Sequence, residues 1–243
     1  MRTKDLIAKR ERRERKIANR KRNETFSYKN TEYVDNDRFT LPDSFPEEVL
    51  CEVKHIPTTI SNEEIMRRRD MRDILTCTID PEDAKDFDDA LSFKQLDGGH
   101  YQIGIHIADV THYVREGTLV DEEAYKRGTS IYLVDRVIPM LPERLCNELC
   151  SLRPNEDKLC MSVIVEMDEQ AKVIRHKICR TVIRSDYRLA YEQAQHMLDA
   201  PITAGEKKSL SDALGVLNRL ARILRTKRFE HGAINFETSE VRF

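Results

Sequence analysis

Along "YQIGIHIADV", which starts at Tyr101, apolar and polar positions alternate with a period of two, the pattern of a strand with one buried face. The runs "LTCTI" (75–79) and "ALSFKQL" (90–96) have strand composition, and "DGG" (97–99) predicts a hairpin turn into the alternating strand. Farther on, "KLCMSVIVEMD" and "VIRHKICRTVIR" read as a second antiparallel pair, with "TSIYLV" as a further strand. Helical periodicity is clearest in "SLSDALGVLNRLARILRTKRF", where Leu217, Leu220, Ala221 and Leu224 share one face and Arg219, Arg222 and Arg225 the other. Shorter helices are announced by their ends. Ser61 and Glu64 form a capping signal in "SNEEIMRRRDMRD", Thr118 and Gly128 bracket "TLVDEEAYKR", and Pro142 opens "PERLCNELC". Strands and helices are interspersed without a regular β-α-β rhythm and no internal repeat is present. The predicted fold is therefore α+β, a mixed, largely antiparallel sheet with flanking helices.

Charge divides the chain. Residues 1–23 carry eleven Lys/Arg against three Asp/Glu, a charge of +8, while the net charge is −2, which leaves −10 on the other 220 residues. So basic a stretch has too few apolar residues to fold alone and would bind phosphates through counterion release. A polar, proline-punctuated stretch follows, so 1–39 is expected to be a poorly ordered basic arm and linker, and 40–243 the organised part. There is no long apolar run and no leader with an apolar core, so a soluble cytoplasmic protein without membrane association is expected. The six cysteines include no C-x-x-C pair and are expected to be reduced and mostly buried. Cys146 and Cys150, four apart, lack the second ligand pair a zinc site needs.

The stretch "IDPEDAKDFDDA" (79–90) places six acidic side chains and one lysine within the ten positions from Asp80 to Asp89, between two predicted strands. Two carboxylates about 4 Å apart repel by roughly 4 kcal/mol at an effective dielectric near 20, so convergence needs compensation that Lys85 alone cannot supply. A hard divalent cation such as Mg²⁺ is one resolution and an acidic, fully hydrated loop is another. A calcium EF-hand loop is disfavoured, since Lys85 stands where that loop needs glycine. His106, Asp109 and His112 could be drawn as a metal cluster, but His106 belongs to the alternating strand and a satisfied structural histidine is the better reading.

"TIDPEDAKDFDDALS", followed in order by "HIADVTHYV", "YLVDRVIPMLPERLCNELCSLRPNE" and "GAINFE", closely resembles the catalytic domain of the RNB family of exoribonucleases, the ribonuclease II and ribonuclease R enzymes. The resemblance covers about residues 40–243 and corresponds to the N-terminal portion of that domain. It implies a processive enzyme that hydrolyses single-stranded RNA from the 3′ end to 5′-nucleoside monophosphates with Mg²⁺ and no organic cofactor. It further implies that Asp80, Asp86, Asp88 and Asp89 form the active site. Asp80, Asp86 and Asp89 would then be metal ligands, with Asp88 positioning or deprotonating the attacking water.

On the same resemblance Tyr132 and Phe236 would stack on bases near the RNA 3′ end. Read from periodicity alone, both are better placed as core or edge aromatics. Arg153 and Asn155 of "SLRPNE" would lie near the active centre, contacting phosphate or stabilising a turn. Complete family members carry cold-shock-type barrels before this region. After it come a further catalytic portion with a Thr-Ser-Pro-Ile-Arg-Arg-Tyr-like stretch and an S1 barrel. None of these is in the sequence, so an exposed apolar seam is expected, and an RNA-binding segment without turnover is the alternative function.

Overall fold

The computed structural model describes residues 43–133 and 136–235. The first element, α1 (Glu47–His55), buries Val49 and Val53, four residues apart. The sequence pattern had assigned these residues only to the end of a proline-punctuated stretch. In α2 (Asn62–Met66) the Ser61 hydroxyl accepts from the Glu64 N–H at 3.2 Å, as the capping signal requires. The helix stops at Met66, and Arg69–Asp70 form a short strand, β1, closed by a turn in which the Arg72 N–H donates to Asp70 Oδ1 at 3.1 Å.

Strands β2 (Thr76–Asp80), β3 (Asp89–Gln95) and β4 (Tyr101–Ala108) follow, with Gly98 at φ 73° in the turn Asp97–Gly99 between the last two. After α3 (Val110–Tyr113), α4 (Leu119–Arg127) runs from a Thr118 cap to Gly128 in the left-handed region. A small hairpin, β5 (Ile131–Tyr132) and β6 (Val137–Ile138), leads to the turn Arg144–Leu149, where the Cys150 N–H reaches Leu145 O at 2.9 Å, an i to i+5 bond. The long pair β7 (Asp157–Met167) and β8 (Val173–Arg184) comes next, then β9 (Tyr187–Ala190), α5 (Tyr191–Asp199) and α6 (Lys208–Glu230). The sequence pattern had flagged neither β9 nor α5.

Seven strands form one sheet in the order β1-β8-β7-β4-β3-β2-β9, and β5 and β6 form a second, two-stranded one. The four inner pairings are antiparallel and only β1/β8 and β2/β9 are parallel, which makes the architecture the α+β, largely antiparallel arrangement expected. One face buries Tyr101, Ile103, Val165 and Met167 beneath Leu220 of α6. Leu217 and Leu224 pack there too, whereas Ala221 is exposed, so the buried stripe is narrower than the pattern suggested. A second cluster joins Phe87, Ala90, Ala108, Leu152 and Cys160, and a third joins Cys77 and Leu189 to α5 and the start of α6. All six cysteines are free, three of them buried. Among the described residues no helix is long and apolar enough to cross a membrane.

The face that α6 covers at Tyr101 and Ile103 is bare two and four residues farther along β4. Ile105 and Ile107 are 40% and 49% exposed, and Met161 and Ile178 on the neighbouring strands are exposed with them. Behind β4, His106 is wholly buried, with Nδ1 2.7 Å from Ser162 Oγ and Nε2 2.8 Å from Ser92 Oγ; Ser162 Oγ lies 2.6 Å from Thr181 Oγ1. Both ring nitrogens are thus satisfied by hydroxyls of β3 and β7. Burial without a charged partner drives the imidazole down to about 4. Gly104 lies flat against this joint: a Cβ there would fall 2.3 Å from Ser92 Oγ and 2.4 Å from His106 Nε2.

Candidate active site

The acidic stretch sits where two strands part. β2 and β3 pair only at Thr76–Ser92 and Cys77–Leu91, while the far edge of β2 stays paired with β9 as far as Asp80–Ala190. Pro81 follows Asp80 directly and has no N–H to continue a ladder. The loop 81–88 fills the gap. It is fixed by Phe87, which is buried among Met71, Ala90, Ala108 and Leu152.

Hydrogen bonds hold the loop on both sides of that anchor. The Phe87 N–H donates to Ser151 Oγ at 3.0 Å, and the Ser151 hydroxyl donates to Lys85 O at 2.9 Å. The Leu152 N–H donates to Phe87 O at 2.8 Å, and the Ala108 N–H to Asp88 O at 2.9 Å. With Phe87 turned inward, its neighbours Asp86 and Asp88 are left half-buried and exposed, respectively. From the other side Arg188 of β9 donates to Pro81 O at 2.9 Å and to Glu82 O.

The carboxylates thus held together perturb one another. Asp80 is only 8% exposed, and its carboxyl is raised above the ordinary range, first by burial and then by the charges of Asp89 and Asp86. Thr78 and Arg188 offset part of this rise. Even so, Asp80 Oδ2 and Thr78 Oγ1 are buried with no hydrogen bond of normal geometry. Asp88 is raised as well, by desolvation from the surrounding loop and then by Asp86, Asp89 and Asp80, although its side chain reaches solvent.

Tyr132, 71% exposed, is raised by partial desolvation and then by the charges of Asp86 and Asp88. The Cys146 thiol is pushed up to about 11 by burial and then by Asp86, so it is a protonated neighbour of the site rather than a nucleophile.

Asp80, Asp86, Asp88 and Asp89 of the expected set thus feel one another's charge, and Tyr132 feels that of Asp86 and Asp88. Arg153 is exposed and its ion pair is with Glu156, at 3.5 Å. Asn155 lies at φ 64°, its N–H donating to Ser185 O at 2.8 Å, a turn position. The "SLRPNE" motif meets the loop through Ser151 and Leu152 instead. Phe236 lies outside the described residues. The trio His106, Asp109 and His112 divides among separate partners: His106 binds the serines, Asp109 pairs with Arg68 at 2.7 Å, and His112 faces Glu64 at 3.6 Å.

Family membership would imply a metal, and the donor chemistry here fits a hard divalent cation: all oxygen, mutually repelling, with one buried carboxylate oxygen unpartnered. Among the described residues no three His, Cys, Asp or Glu side chains converge on one point. A cation would therefore keep several water or substrate oxygens, as Mg²⁺ commonly does. A cavity of about 350 Å³ lies elsewhere, lined by Thr58, Ile65, Tyr113, Glu156 and Lys158 among others and by none of Asp80, Asp86, Asp88 and Asp89. The aspartate loop, with its perturbed carboxyls, is the stronger candidate.

Two contributors to the loop escaped the sequence reading. Ser151 stood inside a motif that had been recognised for its arginine and asparagine. Arg188 lies on an unflagged strand whose parallel pairing with β2 no local pattern encodes.

Comparisons with known proteins identify the family of the chain. The family described as RNB domain matches residues 68–243. Ribonuclease R of Thermotoga maritima is 46% identical over 202 residues, covering 83% of this chain and 28% of the relative. Ribonuclease R of Aquifex aeolicus is 48% identical over 205 residues, covering 84% of this chain and 29% of the relative. The chain thus spans under a third of the length of these curated relatives. The solved structure of Mycoplasma genitalium RNase R in complex with ribose methylated single-stranded RNA superposes with a TM-score of 0.75 at 28% identity, covering 83% of this chain and 31% of that one.

Proposed function

The chain belongs to the RNB-domain family, and from that premise we propose that it is the aspartate-bearing segment of an exoribonuclease that removes nucleotides from the 3′ end of single-stranded RNA as 5′-monophosphates. The observation that carries this reading is the loop 81–88. Phe87, Ser151 and Arg188 pin it, and the carboxyls of Asp80 and Asp88 are raised by burial and then by the charges of the neighbouring aspartates. A fold that keeps such repulsion in place has a use for it.

Asp80, Asp86 and Asp89 would hold Mg²⁺, which when bound polarises a phosphate and orients water for in-line attack. Asp88 is exposed and has a raised carboxyl, so it is a better proton acceptor than an ordinary aspartate and is suited to taking the proton of the attacking water. Tyr132 offers an exposed ring beside these groups on which a base can stack without regard to sequence. A relative that is an RNase R structure with single-stranded RNA supports this substrate class.

The test uses the full chain, Mg²⁺ and a single-stranded RNA labelled at its 5′ end in one reaction and its 3′ end in another. The 3′ label should leave first as a mononucleotide while the 5′-labelled strand shortens stepwise. Asp88→Asn should bind the RNA and release nothing. Binding by the parent chain with no release would oppose the proposal and favour an RNA-binding segment without turnover.

A further inference from the structure

We propose that Arg188 is a positioning residue of the aspartate site, a clamp that sets the loop between Asp80 and Asp89 and so determines where the carboxylates stand. The inference rests on the reading of that loop as the reaction centre.

Arg188 faces Thr78 across the parallel β2/β9 pairing, two residues from the point where Asp80 ends the strand. From there its guanidinium makes three kinds of contact with one short segment. One Nη2 donates to the carbonyl oxygens of both Pro81 and Glu82, the first two residues of the loop. The guanidinium carbon stands 5.5 Å from the centroid of the Phe87 ring, the loop's apolar anchor. Its charge also acts on Asp80, against the repulsion of Asp89 and Asp86.

One cation thus fixes the entrance of the loop, leans on its middle and offsets charge at its first aspartate. Arginine can do all three because its planar fork donates in more than one direction while its face stacks on an aromatic ring. Lysine, a single point donor, cannot. The Arg188 Nε is buried with no partner. Holding that desolvated donor in place costs free energy, as expected where position rather than stability is the gain.

The test compares the full chain with Arg188→Met and Arg188→Lys, without RNA, by two measurements: hydrogen–deuterium exchange and Mn²⁺ affinity by electron paramagnetic resonance. In Arg188→Met the amides of Ala84 and Phe87 should exchange about tenfold faster or more while those of β7 keep their rates. Mn²⁺ binding should weaken by roughly tenfold or more, in line with the loss of a group that orients metal ligands. Arg188→Lys should recover part of the Mn²⁺ affinity through its charge but not the protection of the loop. If Arg188→Met does not fold, Arg188→Lys alone decides, since loss of loop protection is expected there too.

Unchanged exchange at Ala84 and Phe87 would overturn the clamp. So would acceleration spread equally over the whole sheet, which marks a merely structural arginine. Both measurements exclude RNA, so failure of the parent chain to hydrolyse RNA would count against the proposed function alone.

Discussion

Replacing His106 by Gln should flatten the acid side of the chain's stability profile. The buried imidazole is held by two serine hydroxyls and pushed down from its ordinary 6.5 to about 4. In the unfolded chain it titrates near its ordinary value. Between the two, the unfolded state therefore binds a proton that the folded state refuses, and stability falls as pH falls. At about 1.4 kcal/mol per pH unit, the drop from 6.5 to about 4 removes about 3 kcal/mol by the lower limit. That is a large share of the stability of an ordinary domain.

Glutamine keeps an amide for the hydroxyls and cannot titrate. Near neutral pH, His106→Gln should be less stable than the parent by about 1–3 kcal/mol, from imperfect hydrogen bonding. The gap should shrink by more than about 2 kcal/mol toward about pH 4.5, and reverse where it began smaller than that. Groups such as Asp109, Glu64, Asp80 and Asp88 also titrate abnormally, but they are present in both chains and cancel in the comparison. Urea denaturation followed by circular dichroism, at steps from about pH 7 to about pH 4.5, gives the difference directly. Two curves falling in parallel would refute the argument, because the imidazole would then titrate alike in both states.

Three other substitutions probe separate parts of the fold and site. Gly104→Ala would press a methyl to within 2.4 Å of both Ser92 Oγ and His106 Nε2, and its urea midpoint should fall by the equivalent of about 1–3 kcal/mol; an unchanged midpoint would mean that β3 and β4 are not so closely apposed. Asp109→Ala takes from Arg68, whose side chain is 1% exposed, one of its two carboxylate partners and leaves it Glu64 at 2.7 Å, so it should cost about 1–3 kcal/mol of unfolding free energy, against little change if the pair is solvated. Tyr132→Ala, made in an Asp88→Asn background and measured by fluorescence anisotropy, should weaken single-stranded RNA binding by about 1–3 kcal/mol; in the active chain it should change the final product length. Equal affinity and identical products would remove Tyr132 from the site.

The inner sheet was legible because its signals are local. Alternation in β4 gave the strand and its buried start at Tyr101 and Ile103, although Ile105 and Ile107 of the same face are exposed; "DGG" gave the hairpin, and the caps at Ser61 and Thr118 gave helix starts that the hydroxyl bonds reproduce. Charge density along the chain marked the acidic loop, whereas the choice of Asp80, Asp86, Asp88 and Asp89 among its six acidic residues rests on the family resemblance. The outer parallel partners were not. β1 is two residues long and exposed, and β9 is four, so neither shows a period, and each is defined by residues about a hundred positions away. For the same reason Arg188 could not be found from its neighbours, although its pairing with Thr78 puts it beside the loop. Helix α1 was missed because only two of its nine residues are buried and the prolines ahead of it suggested a linker. Ser151 and Leu152 carry no local signal for the loop contacts they make, because those contacts are set by the fold rather than by the motif around Arg153.

On the proposed function, the loop holds like charges near one another at a cost that a divalent cation would relieve. Asp80's carboxyl is raised in the folded chain, so its contribution to stability is lost as pH rises through that raised value, and at neutral pH the ionised group is destabilising. Urea denaturation of the parent and of Asp80→Asn at neutral pH, in EDTA and again in excess Mg²⁺, measures this directly. The prediction is that in EDTA the variant is the more stable chain, and that Mg²⁺ raises the parent's midpoint by more than the variant's. A parent indifferent to Mg²⁺ and destabilised by the substitution would contradict it.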